Sequence, residues 1–167
     1  MKKFLIAFVM LFIANLGCKK IIDHPLCACS PVTYPGFSLA VKNANGDDLL
    51  NPKTANSFTK DQVQLFQKDA NGTTKQVSFY IRPPFDHTDI KFTYHQIISD
   101  EIVSLSTGTN TNKTFYLKLG SGATYELNLE LNSTSRKVEK VLIDKKEAPI
   151  ATDTGIDKII NIFYLTI

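Results

Sequence analysis

The chain has 167 residues, three cysteines, no tryptophan and a formal net charge of +3 at pH 7. This length is typical of a single domain. Removal of the first seventeen residues would lower the net charge to +1, because two of the nineteen basic side chains leave while all sixteen acidic ones stay. A nearly neutral domain has no extended basic surface, so we expect no nucleic-acid partner.

Residues 1–17 have the pattern of an export signal. Two lysines precede an uncharged apolar run from Phe4 to Ala14, which is shorter than the roughly 20 residues of a membrane-spanning helix. The next residues, Asn15-Leu16-Gly17-Cys18, resemble a bacterial lipobox. The resemblance implies that Cys18 carries diacylglycerol, that residues 1–17 are cleaved off and that the new amino group is acylated. Several acyl chains would hold the protein on a membrane without a transmembrane helix.

The residues after Cys18 indicate a location. Lys19 and Lys20 follow it without an aspartate, which resembles lipoproteins released to the outer membrane, and the Cys-Lys-Lys sequence is similar to Bacteroidota usage. Surface export in that phylum uses an acidic run after the cysteine, and Ile21-Ile22-Asp23 is not such a run. We therefore expect a lipid-anchored outer-membrane protein, on the periplasmic leaflet rather than at the cell surface.

Residues 18–35 are expected to form a tether, because three prolines interrupt any regular element. Two free thiols are unusual in an oxidising envelope, so Cys27 and Cys29 are expected to form a disulfide with each other. That bond needs a bent chain, since Cα atoms two residues apart on an extended strand are about 6.6 Å apart. An intermolecular disulfide and a zinc or copper site with His24 are the alternatives. A tether offers no second shell for a metal, so we predict no metal and no other cofactor.

Residues 36–167 are expected to form the folded domain, because apolar and polar side chains alternate along many short segments. The clearest alternation lies in Tyr125–Asn132, and Gly120-Ser121-Gly122 precedes it, so a hairpin is predicted over 114–131. The C-terminal run 159–167 is apolar on nearly both faces, which predicts an inner strand or a covered edge. Further strands are predicted at Phe37–Val41, Val63–Phe66, Val77–Ile81, Ile90–Tyr94 and Val138–Ile143.

Turns are predicted at Asn45-Gly46 and Asn71-Gly72, and Thr59–Gln62 could cap a turn. No amphipathic helix is predicted, because the one stretch with helical spacing is short; its apolar and acidic positions are Tyr94, Ile98, Glu101, Ile102 and Leu105. Short strands with frequent turns predict an all-β domain, an antiparallel β-sandwich of about seven or eight strands, immunoglobulin-like or related.

Three segments of the domain carry a family resemblance. They are "NANGDDLLNPKT" (43–54), "TFYLKLGSGATYELNLELN" (114–132) and "KVEKVLID" (137–144). Together they resemble a group of Bacteroidota lipoproteins that have a short β-sandwich after the lipidated cysteine. The resemblance implies a location and a fold, and it assigns no residue a role.

Three groups of polar residues have some features of catalytic or metal sites. The loop Asn43–Asp48 has calcium-like oxygen spacing, but its glycine comes too early and no glutamate closes it, so a turn that binds its own backbone is favoured. Asp86–Asp89 could join His95, but His95 is expected to face water without a partner. Glu126 and Glu130 share a strand face about 13 Å apart along the strand, which is too far for a glycosidase pair. We predict no catalytic residue.

The remaining candidate surface is aromatic. Tyr80 and Tyr116 lie on the wet sides of their predicted strands, and we interpret them as a possible binding surface. The first hypothesis is a non-enzymatic, lipid-anchored module that binds or scaffolds an envelope protein or glycan. The alternatives are an envelope hydrolase acting on glycan or peptide, and a metal- or redox-handling module that uses Cys27 and Cys29.

Overall fold

The fold is an all-β, sandwich-like arrangement, which confirms the predicted class. The computed structural model describes residues 36–87, 90–107, 113–132, 134–152 and 161–167. Twelve strands lie in these ranges, more than the seven or eight predicted, and five of them have only two or three residues. The strands are β1 (Phe37–Lys42), β2 (Val63–Lys68), β3 (Thr74–Gln76), β4 (Tyr80–Arg82), β5 (Phe85–His87), β6 (Ile90–Phe92), β7 (Gln96–Ser99), β8 (Thr114–Leu119), β9 (Thr124–Leu131), β10 (Val138–Ile143), β11 (Lys146–Glu147) and β12 (Phe163–Thr166).

One sheet has four strands in the order β12-β1-β7-β4. β1 is parallel to β12, with Ala40 opposite Tyr164, and antiparallel to β7. β4 pairs with β7 so that Arg82 lies opposite Gln96. Three of these residues, Ala40, Gln96 and Arg82, therefore belong to the positions that alternate with the core residues of their strands.

The second sheet has six strands in the order β11-β10-β9-β8-β2-β3, and all its pairs are antiparallel. β8 and β9 form the hairpin predicted over 114–131, with Phe115 opposite Leu127. Gly46 and Gly72 both have positive φ in the two predicted Asn-Gly turns. Glycine adopts this conformation without the steric cost that other residues incur.

The core lies between the two sheets. Leu39, Ile97 and Phe163 of the four-stranded sheet are fully buried in one cluster with Leu117 and Leu127 of the six-stranded sheet. Each side chain of this kind contributes about 1.5–3 kcal/mol by its removal from water. The regular alternation of the strands thus supplies the inner faces that hold the two sheets together.

A helix, α1 (Asp100–Thr107), follows β7, so the expectation of no helix is wrong. Its start is set by Ser99, whose hydroxyl accepts a hydrogen bond from the N–H of Ile102 at 3.3 Å. Ile102 is fully buried in the core. Val103 packs against Gly36, where any Cβ would overlap its Cγ2. Tertiary packing and a cap therefore stabilise a helix whose periodic segment is too short to be recognised.

Three details of the strands differ from the sequence predictions. Residues 77–79 are not in a strand, and β4 begins only at Tyr80. The predicted strand Ile90–Tyr94 ends at Phe92, within the separate β5–β6 hairpin. The C-terminal strand is an edge strand covered by a neighbouring segment, as one alternative predicted, because the N–H of Tyr164 donates to the carbonyl of Pro149.

Candidate functional site

The outer face of the four-stranded sheet carries a second, smaller apolar cluster. It contains Ala40, Phe92, Ala151 and Ile162, with partly buried aromatic residues packed around them. Strand alternation places Ala40 on this face, because Leu39 and Val41 point into the main core. The β5–β6 hairpin contributes Phe92. Part of this sheet is therefore covered by apolar side chains on its outer face as well as on its core face.

A small pocket opens on this face, and we call it the outer-face pocket. Its cavity volume is about 10 Å³. Pockets for drug-sized ligands measure roughly 300–1,000 Å³, so this one has room for about one water molecule. Its lining residues are Phe92, Thr93, Tyr94, Gln96, Ala151, Ile162 and Tyr164.

Gln96 is the buried polar group of the pocket, with 1% of its surface exposed. Its Oε1 accepts hydrogen bonds from the Ser38 hydroxyl and from Arg82 Nη2, both at 2.9 Å. Arginine can only donate, so this contact fixes which end of the amide is oxygen. The amide Nε2 makes a long contact of 3.5 Å with the carbonyl of Tyr94.

Arg82 lies beside Gln96 on the edge strand β4. Its guanidinium carbon is 4.3 Å from the centre of the Phe85 ring and 5.5 Å from that of Phe92, and these two rings stack on each other at 4.1 Å. Burial lowers the pKa of Arg82, and interaction with Tyr80 opposes this effect. Among the described residues no carboxylate forms an ion pair with Arg82.

A second cation lies against Tyr164, one of the lining residues. Lys42 Nζ is 4.5 Å from the centre of the Tyr164 ring, and the Tyr94 and Tyr164 rings meet edge to face at 5.5 Å. The Tyr94 hydroxyl donates to the carbonyl of Gly46 at 2.9 Å. This bond ties the aromatic lining to the turn after β1, so the two tyrosine rings are held in place.

The prediction that His95 faces water without a partner is wrong. Its Nδ1 is 2.7 Å from Asp48 Oδ2, and its backbone N–H donates to the same oxygen at 2.8 Å. The two side chains are only 15% and 10% exposed. Asp48 Oδ1 also accepts from the N–H of Leu50. The loop 43–50 folds back beside β7, which brings together two residues 47 positions apart.

An imidazole and a carboxylate in contact form two parts of a hydrolase triad. None of the hydrogen bonds formed by the described residues joins a serine, threonine or cysteine side chain to His95. Asp48 accepts hydrogen bonds from two backbone N–H groups, so the Asp48–His95 pair has a structural role in holding the loop 43–50 in place. Asn43 supports the same loop, because its Oδ1 accepts from the N–H groups of Asn45 and Asp47, as the predicted self-bonded turn requires.

The predicted surface tyrosines lie in different sheets. Tyr80 is on β4 of the four-stranded sheet and is 46% exposed. Tyr116 is on β8 of the six-stranded sheet, where it stacks on Phe66 at 5.5 Å and lies 4.7 Å from Lys68 Nζ. Strand alternation places each of them on an outer face, and only Tyr80 is close in sequence and register to the outer-face pocket.

The predicted lipidation site Cys18, the predicted disulfide partners Cys27 and Cys29, and His24 lie outside the described residues. Within the described ranges no three His, Cys, Asp or Glu side chains are grouped to hold a metal ion. The described part of the chain has no helix long and apolar enough to cross a membrane.

The sequence pattern does not reveal Arg82, Gln96 and Lys42 as site residues. Their signal was present as polar residues within apolar strands, at Tyr80-Ile81-Arg82 and Gln96-Ile97-Ile98. Alternation assigns such residues to the wet side, and nothing in the sequence shows that a hairpin covers that side.

Comparison of the chain with known protein families, with curated proteins and with solved structures finds no match.

Proposed function

We propose that this protein is a lipid-anchored, non-enzymatic module of the bacterial outer membrane that binds an envelope partner through the outer face of its four-stranded sheet. The observation that carries the proposal is the make-up of this face, where aromatic rings surround the buried amide of Gln96 and the cations of Lys42 and Arg82 lie against the Tyr164 and Phe85 rings. Mostly apolar concave sites with a few placed polar groups are typical of binding sites.

The anchor is the second element of the proposal. The Gly17-Cys18 sequence at the end of an apolar run supports lipidation of Cys18, and the lysines that follow support the outer membrane. The periplasmic leaflet is the proposed side. Labelled fatty acid should be incorporated into the protein in its native host, and Cys18→Ser should abolish the label. Label retained in the Cys18→Ser variant would contradict the anchor.

Partner capture from the native envelope tests the binding face. The tagged full chain should recover a defined protein or glycan, and Lys42→Met together with Arg82→Met should lose it. Lys68→Met together with Lys140→Met is the matched control, because Lys68 lies over Tyr116 as Lys42 lies over Tyr164. Equal recovery by both double variants, or recovery of no partner beside turnover of an envelope substrate, would overturn the proposal.

A further inference from the structure

Three Asn-X-Ser/Thr sequons occur in the chain, and they begin at Asn71, Asn112 and Asn132. Such a sequon is the acceptor sequence for N-linked oligosaccharides in exported proteins. In bacterial acceptors an acidic residue lies two positions before the asparagine, and Asp69 and Glu130 occupy that position for Asn71 and Asn132. Asn112 has no such residue and lies outside the described residues. Because short motifs also arise by chance, the structural setting of each asparagine decides whether it can be an acceptor.

The turn between β2 and β3 does not use the acceptor groups of its sequon. Asp69 Oδ1 accepts hydrogen bonds from the N–H groups of Asn71 and Thr73 at 2.9 and 2.8 Å, and the N–H of Gly72 donates to the carbonyl of Asp69. The positive φ is at Gly72 and not at Asn71, so the turn requires the aspartate and the glycine. Among the described residues no hydrogen bond involves the Asn71 amide group or the Thr73 hydroxyl.

Both acceptor groups are accessible in the folded protein. Every residue from 68 to 76 is exposed, a stretch that contains the end of β2, the turn and all of β3. β3 is the edge strand of the six-stranded sheet. A modifying enzyme can therefore reach the Asn71 amide and the Thr73 hydroxyl together without separating any strands.

The sequon at Asn132 has the opposite setting. Asn132 is half-buried, and its Nδ2 donates to Glu139 at 2.8 Å. Its Oδ1 accepts from the N–H groups of Thr134 and Ser135, both at 2.9 Å. An enzyme that binds this amide must first break these hydrogen bonds, so the fold protects Asn132 and leaves Asn71 available.

We propose that Asn71 is an N-glycosylation site, with a lipid-linked oligosaccharide pyrophosphate as the donor and Thr73 as the hydroxyl that the transferase recognises. In the transfer, Asn71 Nδ2 forms a bond to the anomeric carbon of the first sugar while the bond from that carbon to the pyrophosphate breaks. The lipid pyrophosphate leaves with the electron pair, and the amide releases one proton. This inference goes beyond the binding face and rests only on the export contained in the proposed function.

A glycan at Asn71 would lie next to β3, whose three residues are all exposed. A free edge strand can pair with a strand of another chain, and a bulky hydrophilic group beside it hinders such pairing. The turn belongs to the six-stranded sheet, so the modification would leave the outer face of the four-stranded sheet open to a partner.

Mass spectrometry of the protein purified from its native envelope tests the site. Trypsin separates the two sequons into peptides 69–75 and 119–136. Peptide 69–75 should carry a glycan that fragmentation locates on Asn71, and peptide 119–136 should be unmodified. An unmodified peptide 69–75, equal occupancy of both peptides, or a glycan on Thr73 or Thr74 in place of Asn71 would overturn the inference.

Conservative variants separate the acceptor from the turn. Asn71→Gln and Thr73→Ala should each abolish the glycan, whereas Thr73→Ser keeps the hydroxyl and should retain it. Asn132→Gln is the matched control and should leave the modification of peptide 69–75 unchanged. Circular dichroism establishes that each variant is folded. A glycan that survives Thr73→Ala contradicts the inference, and if Asn71→Gln does not fold, the two Thr73 variants still decide.

Fatty-acid labelling of the same samples keeps the two proposals distinct. Labelled protein with an unmodified peptide 69–75 would retain the anchor and reject the glycan. A glycan on Asn71 of unlabelled protein would retain this inference and reject the anchor, because the transfer requires export but no lipid on Cys18.

Discussion

Lys140 and Arg82, on the outer faces of the two sheets, have different partners. On the six-stranded sheet, Lys140 Nζ lies 3.3 Å from a carboxylate oxygen of Glu147 and 3.9 Å from one of Glu130. On the four-stranded sheet, Arg82 rests on aromatic rings and an amide, with no carboxylate among the described residues. Lys140 is therefore paired with carboxylates of its own chain. Arg82 is a partly buried cation without such a partner in the described part of the chain, which is the feature on which the proposed binding face rests.

The difference arises from how each face is covered. Polar side chains on the six-stranded sheet bind one another, as in the contact of Asn128 with Glu126 at 2.8 Å. The four-stranded sheet is covered by the β5–β6 hairpin and by residues near Ala151, which form an apolar cluster around Gln96 and Arg82. Covering strengthens each electrostatic contact by excluding water, and it raises the cost of leaving a charge unpaired.

The largest expected difference between the faces concerns an aromatic truncation. Phe92 is 7% exposed and belongs to the second cluster, so Phe92→Ala should lower the free energy of unfolding by about 3 kcal/mol. Tyr116→Ala removes a half-buried ring on the opposite face and should cost about 1 kcal/mol. Urea denaturation of both variants measures the difference. Equal losses would show that the outer cluster is not a packed core.

The next effect concerns two aspartates that each accept two or more backbone hydrogen bonds. Asp48 is 10% exposed and binds the N–H groups of Leu50 and His95, so Asp48→Ala should cost about 2 kcal/mol by leaving sheltered donors unpaired. Asp69 binds those of Asn71 and Thr73 in an exposed turn, where water can replace it. Asp69→Ala should cost about 0.5 kcal/mol, and the reverse order in thermal unfolding would contradict the clamp.

A smaller effect of opposite sign, a gain in stability, is expected when the charge of Arg82 is removed. Arg82→Met keeps contact with the Phe85 ring and removes a partly buried charge, so it should stabilise the isolated protein by about 0.5 kcal/mol. Lys140→Met removes a cation that is already paired and should not stabilise. A protein that gains stability as it loses binding has a strained functional site. Clear destabilisation by Arg82→Met would show that the charge is balanced within the chain.

The smallest effect is pH-dependent and lies where the chain crosses between the sheets. Glu101 Oε2 accepts the N–H of Ser78 at 2.6 Å, and hydrogen bonding to Ser78 holds the pKa of Glu101 below its usual value of 4.5. Because the folded pKa is the lower one, the stabilisation is present above about pH 4.5 and is lost as the pH falls through the folded pKa. Glu101→Gln should therefore be less stable than the wild type at pH 6, and the difference in the free energy of unfolding should become smaller at acid pH.

Asp100→Asn is the control for this pH effect. It removes a neighbouring negative charge from the same helical turn, so it reports the contribution of charge near a helix start. At pH 6, the difference in the free energy of unfolding between the wild type and Glu101→Gln should exceed that between the wild type and Asp100→Asn. Gaps of equal size, or a gap that does not change between pH 6 and pH 3, would show that the Ser78 contact adds no stability.

The alternation of side chains was sufficient to predict the sheets. Tyr125–Asn132 has one apolar and one polar face, and the hairpin with β8 follows from the turn residues before it. Residues 77–79 also alternate, but their backbone leaves the strand where the chain crosses from β3 to β4. A period of two describes which side chains are buried and does not locate the point where a strand changes sheets.

The candidate site could not be predicted, because each of its contacts depends on distant segments. Asp48 meets His95 across 47 positions, and Ser38 meets Gln96 across 58. Local patterns assigned His95 to water and gave Gln96 no role. Helix α1 was missed for a related reason, since its cap Ser99 and its buried Ile102 become meaningful only when the helix packs beside Gly36.

Photo-crosslinking in the native envelope tests directly whether a partner binds the four-stranded sheet. A photoreactive amino acid replaces Thr93, an exposed residue that lines the outer-face pocket, or Gln64, an exposed residue on the six-stranded sheet. We expect a discrete crosslinked adduct from position 93, suppressed by Arg82→Met, and none from position 64. An adduct from position 64 alone, or equal adducts from both positions, would contradict the assignment of partner binding to the four-stranded sheet.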